Sequence, residues 1–229
     1  METAKERYEN TSRELAEVCR TAGRDRCEVK LVAVSKTVGP REVEQALQGG
    51  AADFGENRPD QLMAKADAFP NANWHFIGNI QSRRIRDIVG RATLIHSLYQ
   101  EGHARKIDEV AAGLGVVQDV LIEVNVSGEQ SKGGVLPEQA AHLVAFCNSF
   151  EHVRVRGLMT MAPLGDLETA RTSFAGLRAL RDDIRTSMGE KDAAVFTELS
   201  MGMSDDWRIA VEEGATIVRI GRAIFSDSF

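Results

Sequence analysis

The sequence is poor in cysteine and in long apolar runs, and both shortages exclude whole classes of protein. The three cysteines, Cys19, Cys27 and Cys147, are odd in number and lack metal-site spacing, so we expect free thiols in a reducing, cytoplasmic setting. The longest apolar stretch, residues 110–117, is far shorter than the ~18 residues that cross a bilayer. Charged side chains are scattered through residues 1–30, unlike in a secretory leader. We therefore expect neither a membrane span nor export.

The charge balance is mildly acidic, and the composition is that of an ordinary globular domain. Lysine and arginine number 28 against 34 acidic residues, and the formal net charge of −6 disfavours nucleic acid as a partner. The hydrophobic fraction of 43% and the charged fraction of 27% lie near globular averages. No repeat, low-complexity tract or proline-rich linker divides the chain. We expect one domain over residues 1–229 and a monomeric protein.

Short β-branched or aromatic runs alternate along the chain with segments of helical periodicity. Eight such runs begin near Leu31, Asp53, Trp74, Leu94, Val120, Val155, Val195 and Ile217. Apolar residues recur at helical spacing over residues 4–22, 41–47, 136–150 and 170–184. This alternation is typical of parallel βαβ units, in which helices cover a parallel sheet.

The alternation and the chain length predict an α/β fold, a (β/α)8 TIM barrel. A helix comes first, however, and residues 226–229 are too few for an outer helix after the last strand. We expect the leading helix to occupy that vacant position in the outer ring. The alternative is an open, doubly wound sheet. Such folds have a glycine-rich first turn, whereas here Ser35, Lys36 and Thr37 follow the first strand.

Lys36 is the first candidate site residue, because of its predicted position in a barrel. Active sites of these barrels lie at the carboxyl ends of the strands, and Lys36 follows a short apolar strand. Its amine would project into the barrel opening, where loss of solvent favours the neutral amine that Schiff-base chemistry needs. The alternative is a solvated lysine that only opens a loop.

Two glycine-containing loops follow the last two strands, where barrels often bind phosphate. The first contains Ser200 and Gly202, followed by residues 204–206 as the expected cap and first turn of a helix; the second contains Gly221. Backbone N–H groups in such loops and at a helix start suit a phosphate. Each loop taken alone is equally consistent with an ordinary turn.

Arg219 lies two residues before Gly221 on the last strand, so alternation places it on the inner face of the barrel. A buried arginine needs a partner. An acceptor atom of a ligand would serve, and so would a core carboxylate such as Glu123 or Glu198.

The motifs of several other chemistries are absent. The five histidines have no metal-site spacing, so no metal is expected, and neither a nucleophile elbow nor a complete dinucleotide fingerprint is present. Arg83, Arg84 and Arg86 are interpreted as a solvated helix face, with an RNA or acidic-partner patch as the alternative. Trp74 and His75 are interpreted as core residues at a strand end.

Six segments carry a family resemblance. They are residues 31–37 (LVAVSKT), 54–57 (FGEN), 74–78 (WHFIG), 156–161 (RGLMTM), 199–206 (LSMGMSDD) and 218–221 (VRIG). Together they resemble the pyridoxal phosphate homeostasis protein family over nearly the whole chain. The resemblance implies pyridoxal 5'-phosphate as the cofactor and the barrel of the alanine racemase N-terminal domain, fold type III among pyridoxal phosphate proteins.

The resemblance also implies roles for individual residues. Lys36 matches the lysine that holds the cofactor as a Schiff base, and Arg219 matches the arginine that faces the pyridine nitrogen. The other implied cofactor-binding residues are Asn57 and Met159, near the ring and phosphate arm, and Ser200, Met201, Gly202, Gly221 and Arg222, around the phosphate. No catalytic residue is implied.

Three positions depart from the family pattern. Arg222 replaces the small hydroxyl residue that usually follows the last glycine; an arginine can supply a charged hydrogen bond instead. Asn79 replaces a commoner proline or histidine, and Ser226 follows Phe225 where a glycine is more frequent. Affinity for the phosphate is the property that these departures affect.

The resemblance implies a non-catalytic protein that buffers or delivers pyridoxal phosphate, with apo forms of pyridoxal phosphate enzymes as partners. Two rivals are an amino-acid racemase and an aldolase that uses Lys36 without a cofactor. Racemisation needs a second proton-transfer group, and of the two tyrosines, Tyr8 and Tyr99, only Tyr99 could lie at a strand end. An arginine at the pyridine nitrogen also weakens the electron sink that carbanion chemistry needs.

Overall fold

In the computed structural model, which describes residues 2–129, 133–163 and 165–226, eight parallel strands close into a barrel. The strands are β1 (Lys30–Val34), β2 (Asp53–Glu56), β3 (Asn73–Phe76), β4 (Leu94–Leu98), β5 (Gln118–Glu123), β6 (Val153–Met159), β7 (Glu198–Ser200) and β8 (Ile217–Ile220). Neighbours in sequence pair with each other, and β8 pairs with β1, with Val32 opposite Arg219. The predicted (β/α)8 barrel is confirmed, and the open sheet is wrong.

Helices surround the barrel. They are α1 (Ala4–Thr21), α2 (Pro40–Gln48), α3 (Pro59–Ala68), α4 (Ile85–Ile88), α5 (Glu101–Leu114), α6 (Pro137–Asn148), α7 (Leu167–Thr186), α8 (Glu190–Val195), α9 (Trp207–Glu212) and α10 (Arg222–Phe225). Pro40, Pro59 and Pro137 stand at the starts of α2, α3 and α6, where a missing N–H costs nothing. Gly115 ends α5 in the left-handed conformation.

The leading helix occupies the outer-ring position predicted for it. A capping box between Thr3 and Glu6 starts α1, and its buried face includes Leu15 and Cys19. The helix packs against α2 on one side and against α9 and α10 on the other. Arg7 Nε donates to the carbonyl oxygen of Ile224 at 2.8 Å, which ties α1 to α10.

The barrel interior changes from apolar to polar along the strands. A small inner cluster, separate from the core beneath the helices, consists of Val32, Leu94, Leu121, Met159 and Ile217. Two residues further along three of these strands lie His96, Glu123 and Arg219, all buried. Because side chains alternate along a strand, these polar groups also face inward. The inner cluster therefore supports a polar layer nearer the carboxyl ends.

Two predicted boundaries around β7 are wrong. The run at Val195 predicts a strand start there, but Val195 ends α8, since the N–H of Phe196 bonds to the carbonyl oxygen of Asp192 at 3.1 Å. The helix after β7 begins at Trp207, because residues 204–206 form a turn. In that turn, Asp206 Oδ1 accepts a hydrogen bond from the N–H of Met203 at 2.6 Å. Asp206 therefore precedes α9 and is not part of its first turn.

The cysteines are free thiols, as predicted. Cys19 and Cys147 are buried and Cys27 is exposed. Burial raises the pKa of the Cys147 thiol to about 12, which makes it a poor nucleophile. Within the described ranges, no helix has both the length and the apolarity to cross a membrane.

Candidate functional site

Lys36 lies at the carboxyl end of β1, in the opening that we call the mouth. Val32 belongs to the cluster inside the barrel, and every second residue of a strand faces the same side. Val34 and Lys36, two and four residues further on, are therefore placed on the inward-facing side. Its side chain is exposed, so the expectation that protein atoms remove solvent from the amine is wrong. The amine is accessible to any molecule that enters the mouth.

A buried polar cluster behind Lys36 fixes the preceding peptide. Ser35 Oγ donates to Glu56 Oε1 at 2.7 Å, and Lys65 Nζ donates both to that oxygen, at 2.5 Å, and to the carbonyl oxygen of Ser35, at 2.8 Å. All three side chains are buried. The cluster anchors the backbone from which Lys36 projects. Sequence reasoning missed it, because Glu56 and Lys65 lie on different elements.

The two glycine loops both lie at the mouth, and the backbone of each packs closely against a neighbouring element. Gly202 has φ +92°, and a Cβ there would lie 2.6 Å from Ala210 Cβ. A Cβ on Gly221 would lie 3.1 Å from the carbonyl oxygen of Val34, so this loop packs directly on the strand that carries Lys36. The pairing of β8 with β1 thus brings the Gly221 loop beside the segment that carries Lys36.

Arg219 is buried beneath these loops, but neither carboxylate suggested by the sequence is its direct partner. Nη1 donates to Ser200 Oγ at 2.5 Å, and Nη2 donates to the carbonyl oxygen of Thr160 at 3.1 Å. Burial lowers the pKa of Arg219 to about 10, against the opposing charges of Asp206 and Glu123. It is therefore a cation at neutral pH. Among the described residues, no carboxylate forms an ion pair with it.

Ser200 and Met201 lie deeper than their neighbours in the loop. Both are fully buried, and the Ser200 hydroxyl contacts Arg219 and His96 rather than the opening. The side chain of Ser200 is thus engaged inside the barrel. Any contact from Ser200 to a molecule in the mouth would have to come from its backbone.

Arg222 connects the two glycine loops at the surface. Its guanidinium forms an ion pair with Asp205, in the loop after β7. Both side chains are at least half exposed. Arg222 therefore lies within reach of both loops, with its charge accessible to solvent.

Asn57 and Met159 occupy different depths at the same end of the barrel. Asn57 is exposed after β2, and its backbone abuts Gly78, where a Cβ would lie 2.0 Å from the Asn57 carbonyl oxygen. Met159 is buried in the inner cluster with Val32 and Ile217. Thus the first borders the mouth, and the second lies below it.

Two further groups at the carboxyl ends were not assigned a site role from sequence. Glu123 is buried, and burial raises the pKa of its carboxyl although Arg219 opposes the shift. Tyr99 directly follows β4, the strand end at which it was expected. A Cβ on Gly133 would lie 3.3 Å from Glu123 Oε1 and 3.6 Å from Tyr99 Cε1, so both side chains border Gly133.

Two buried histidines connect Arg219 to the other end of the barrel. His96 Nδ1 lies 2.8 Å from Ser200 Oγ, and His96 Nε2 lies 2.9 Å from His75 Nδ1. His75 Nε2 lies 3.0 Å from Asp53 Oδ1. Burial lowers the pKa of both histidines, that of His96 well below its usual value. The sequence correctly predicted that His75 is a core residue but not this contact with His96. The only sequence signal was a polar residue inside each apolar strand.

No cluster of three histidine, cysteine or acidic side chains suited to a metal occurs in the part of the chain that the structure describes. Arg84 pairs with Asp87, whereas Arg83 and Arg86 are exposed, as expected of a solvated helix face.

Comparison with known sequences gives matches over almost the full length. Residues 9–228 match the profile of the family described as "Alanine racemase, N-terminal domain". The "Pyridoxal phosphate homeostasis protein" of Aquifex aeolicus is 40% identical over 225 residues, which cover 97% of each chain.

Solved structures share the fold closely. A protein of unknown function from Bifidobacterium adolescentis is 33% identical, with a TM-score of 0.91 over 97% of this chain and 94% of that one. PipY of Synechococcus elongatus PCC7942, solved with PLP bound, is 30% identical, with a TM-score of 0.79 over 93% of this chain and 100% of that one. The predicted family resemblance is confirmed.

Proposed function

This chain belongs to the pyridoxal phosphate homeostasis protein family, within the wider alanine racemase N-terminal domain family, and we propose that it holds pyridoxal 5'-phosphate as a Schiff base on Lys36 and buffers or delivers it. We also propose that residues 1–229 form a single cofactor-binding domain. The cytoplasmic location and the monomeric state of the protein remain predictions from the sequence.

The observation that carries the proposal is that Lys36 and Gly221 follow the paired strands β1 and β8, and that Arg219 lies on β8. An exposed amine, a closely approaching backbone and a buried cation suit the aldehyde, the phosphate and the ring nitrogen of this cofactor, respectively. When bound, pyridoxal phosphate supplies an aldehyde carbon that condenses with an amine and releases one water. The PLP-bound structure of PipY, which shares this fold, supports the same ligand.

The other proposed site residues lie at two levels, at the rim of the mouth and below it. We assign Asn57 and the backbone of Gly202 and Gly221 to the rim of the site, with Arg222 as a charged phosphate contact. Met159 would support the ring from below. Ser200 and Met201 would form the floor of the phosphate side, because both side chains are buried and the N–H of Met201 already donates to the Ile217 carbonyl oxygen at 3.1 Å.

The same geometry favours a carrier over an enzyme. Arg219 keeps its charge at neutral pH, and a cation facing the ring nitrogen opposes protonation of that nitrogen, so the ring becomes a weaker electron sink. The exposure of Lys36 leaves the amine open to exchange with other amines. A racemase-like activity is the second candidate, and the observation that favours it is that Tyr99 and the buried Glu123 carboxyl both border Gly133 at the carboxyl ends of the strands.

The carrier proposal predicts cofactor transfer without amino-acid turnover. Protein loaded with pyridoxal phosphate should leave L-alanine and other common amino acids unracemised and undecarboxylated over hours, since a site must stabilise a transition state to catalyse. It should activate an apo-transaminase. Chiral chromatography and the transaminase assay measure the two outcomes.

Lys36→Ala is the control for both assays. Turnover above that of free pyridoxal phosphate, lost in Lys36→Ala, would make the protein an enzyme. If Glu123→Gln also removed that turnover, the racemase candidate would replace the carrier. Failure of the loaded protein to activate the apo-transaminase would contradict delivery.

A second prediction concerns Arg222 and the phosphate. Arg222→Ala should weaken binding of pyridoxal phosphate by about 1.5–3 kcal/mol, the range for a hydrogen bond to a charged group. Binding of unphosphorylated pyridoxal should barely change. Titration calorimetry with both ligands measures the difference.

Arg208→Ala is a matched control. Arg208 lies on α9, is also half exposed and also forms an ion pair, in its case with Glu14 of α1. It changes the net charge equally and should affect neither ligand. Equal losses of both ligands in Arg222→Ala would show that Arg222 supports the fold instead of the phosphate.

A further inference from the structure

Five side chains form a continuous hydrogen-bonded line through the barrel interior. They are Asp53, His75, His96, Ser200 and Arg219, from β2, β3, β4, β7 and β8. Asp53 is the first residue of β2 and lines a cavity of about 570 Å3 at the amino ends of the strands. Arg219 lies near the mouth. The line therefore joins the two ends of the barrel.

The chemistry of the two ends determines the direction of the line. A guanidinium only donates hydrogen bonds and an ionised carboxylate only accepts them. Burial opposes ionisation of Asp53, but the hydrogen bond from His75 and the charge of Lys30, 3.5 Å away, outweigh it and lower the pKa of that carboxyl. Asp53 is therefore an acceptor at neutral pH.

With both imidazoles neutral, as their burial favours, only one arrangement of protons satisfies every contact. His75 must donate from Nε2 to Asp53, which leaves its Nδ1 to accept from His96 Nε2. His96 Nδ1 is left to accept from the Ser200 hydroxyl, whose oxygen accepts from Arg219. Every dipole points the same way, from the cation to the carboxylate.

We propose that Asp53, His75 and His96 are positioning residues for Arg219, which they hold through Ser200 in the orientation that presents its remaining N–H groups to the ring nitrogen of the cofactor. This inference rests on the proposed function. The carboxylates whose charges act on Arg219 are Asp206 and Glu123, and neither forms an ion pair with it among the described residues. The line acts through geometry instead: it fixes the Ser200 hydroxyl oxygen that Nη1 of the guanidinium contacts.

The first test needs no cofactor. In unloaded protein labelled with 15N, both His75 and His96 should show a protonated Nε2 and an unprotonated Nδ1 at neutral pH. Protonated and unprotonated ring nitrogens are well separated in 15N spectra. An Nδ1–H tautomer or a doubly protonated ring at either histidine would overturn the proposal, whatever the protein binds.

The second test uses Asp53→Asn, whose amide oxygen can still accept from His75 but carries no charge. It should weaken binding of pyridoxal phosphate about three- to tenfold, as expected for one hydrogen bond's net contribution, and shift the visible absorption of the loaded protein. Binding of 1-deazapyridoxal phosphate, which lacks the ring nitrogen, should not change. A merely structural role would weaken both ligands alike.

Asp119→Asn is the matched control, because Asp119 lies near the start of β5 but pairs outward with Arg154 and Arg156. It should leave both ligands and the spectrum unchanged. If wild-type protein binds pyridoxal phosphate and Asp53→Asn matches it in spectrum and affinity, the positioning role is wrong and the proposed function stands. If wild-type protein binds neither ligand, the proposed function fails. The tautomer measurement still tests the predicted arrangement of protons on His75 and His96.

Discussion

Borohydride reduction of the protein loaded with pyridoxal phosphate is expected to fix the ligand on Lys36 alone. Lys36 is the exposed lysine at the mouth, and the buried Ser35–Glu56–Lys65 cluster fixes the backbone beneath it. Its neighbour across the strand pair is the Gly221 loop, proposed for the phosphate. Peptide mass mapping should find the reduced adduct on the peptide that contains Lys36, and Lys36→Ala should lose the visible absorption band completely.

Lys106→Ala is the comparison, because Lys106 lies on α5 in the outer ring and pairs there with Glu109. It should retain both the band and the adduct. An adduct on another lysine of the native protein, or no visible band after incubation with pyridoxal phosphate, would refute the assignment. The aldolase rival predicts trapping only when a carbonyl substrate is added without cofactor.

Gly202→Ala is expected to destabilise the fold by about 2–5 kcal/mol. The residue adopts φ +92°, which costs any L-residue strain, and its Cβ would lie 2.6 Å from Ala210 Cβ and 2.9 Å from Trp207 Cα. These atoms belong to the short helix α9 and cannot rotate away. Urea unfolding followed by circular dichroism measures the change in the free energy of unfolding.

Gly50→Ala separates strain from crowding. Gly50 has the same φ of +92°, but its added Cβ would meet nothing within 4 Å. This variant should lose only about 1–2 kcal/mol, the cost of the backbone conformation. If the two variants were equally stable, close packing of the loop on α9 would not be the reason for glycine at position 202.

Periodicity in the sequence was sufficient to predict the barrel and its unusual start. The eight runs correspond to the eight strands, and the amphipathic residues 4–22 correspond to α1 in the outer ring. The β7 boundary failed because Val195 and Phe196 suit a strand by composition but are used to end α8. Local preference was overridden there by a backbone hydrogen bond that composition does not encode.

The site was predictable only in part. Barrel geometry and alternation placed Lys36, Gly221 and Arg219 at one end, but the naming of the ligand needed the family resemblance. The line of His75, His96 and Asp53 was missed, because its contacts depend on the register of β2, β3 and β4 rather than on spacing along the chain. Alternation indicates which side chains face inward, whereas register determines which atoms meet.

The pairing of β1 with β8 also constrains when the protein can fold. During synthesis, a strand can pair only with strands that have already been made. β1 ends at Val34, but β8, one of its two partners, begins only at Ile217. At a synthesis rate of about 5–20 residues per second, that interval is on the order of ten seconds. Throughout it, β1 has an open edge and α1 lacks α9 and α10. Ring closure is therefore a late event in synthesis, because this edge of β1 has no native partner until the last strand emerges.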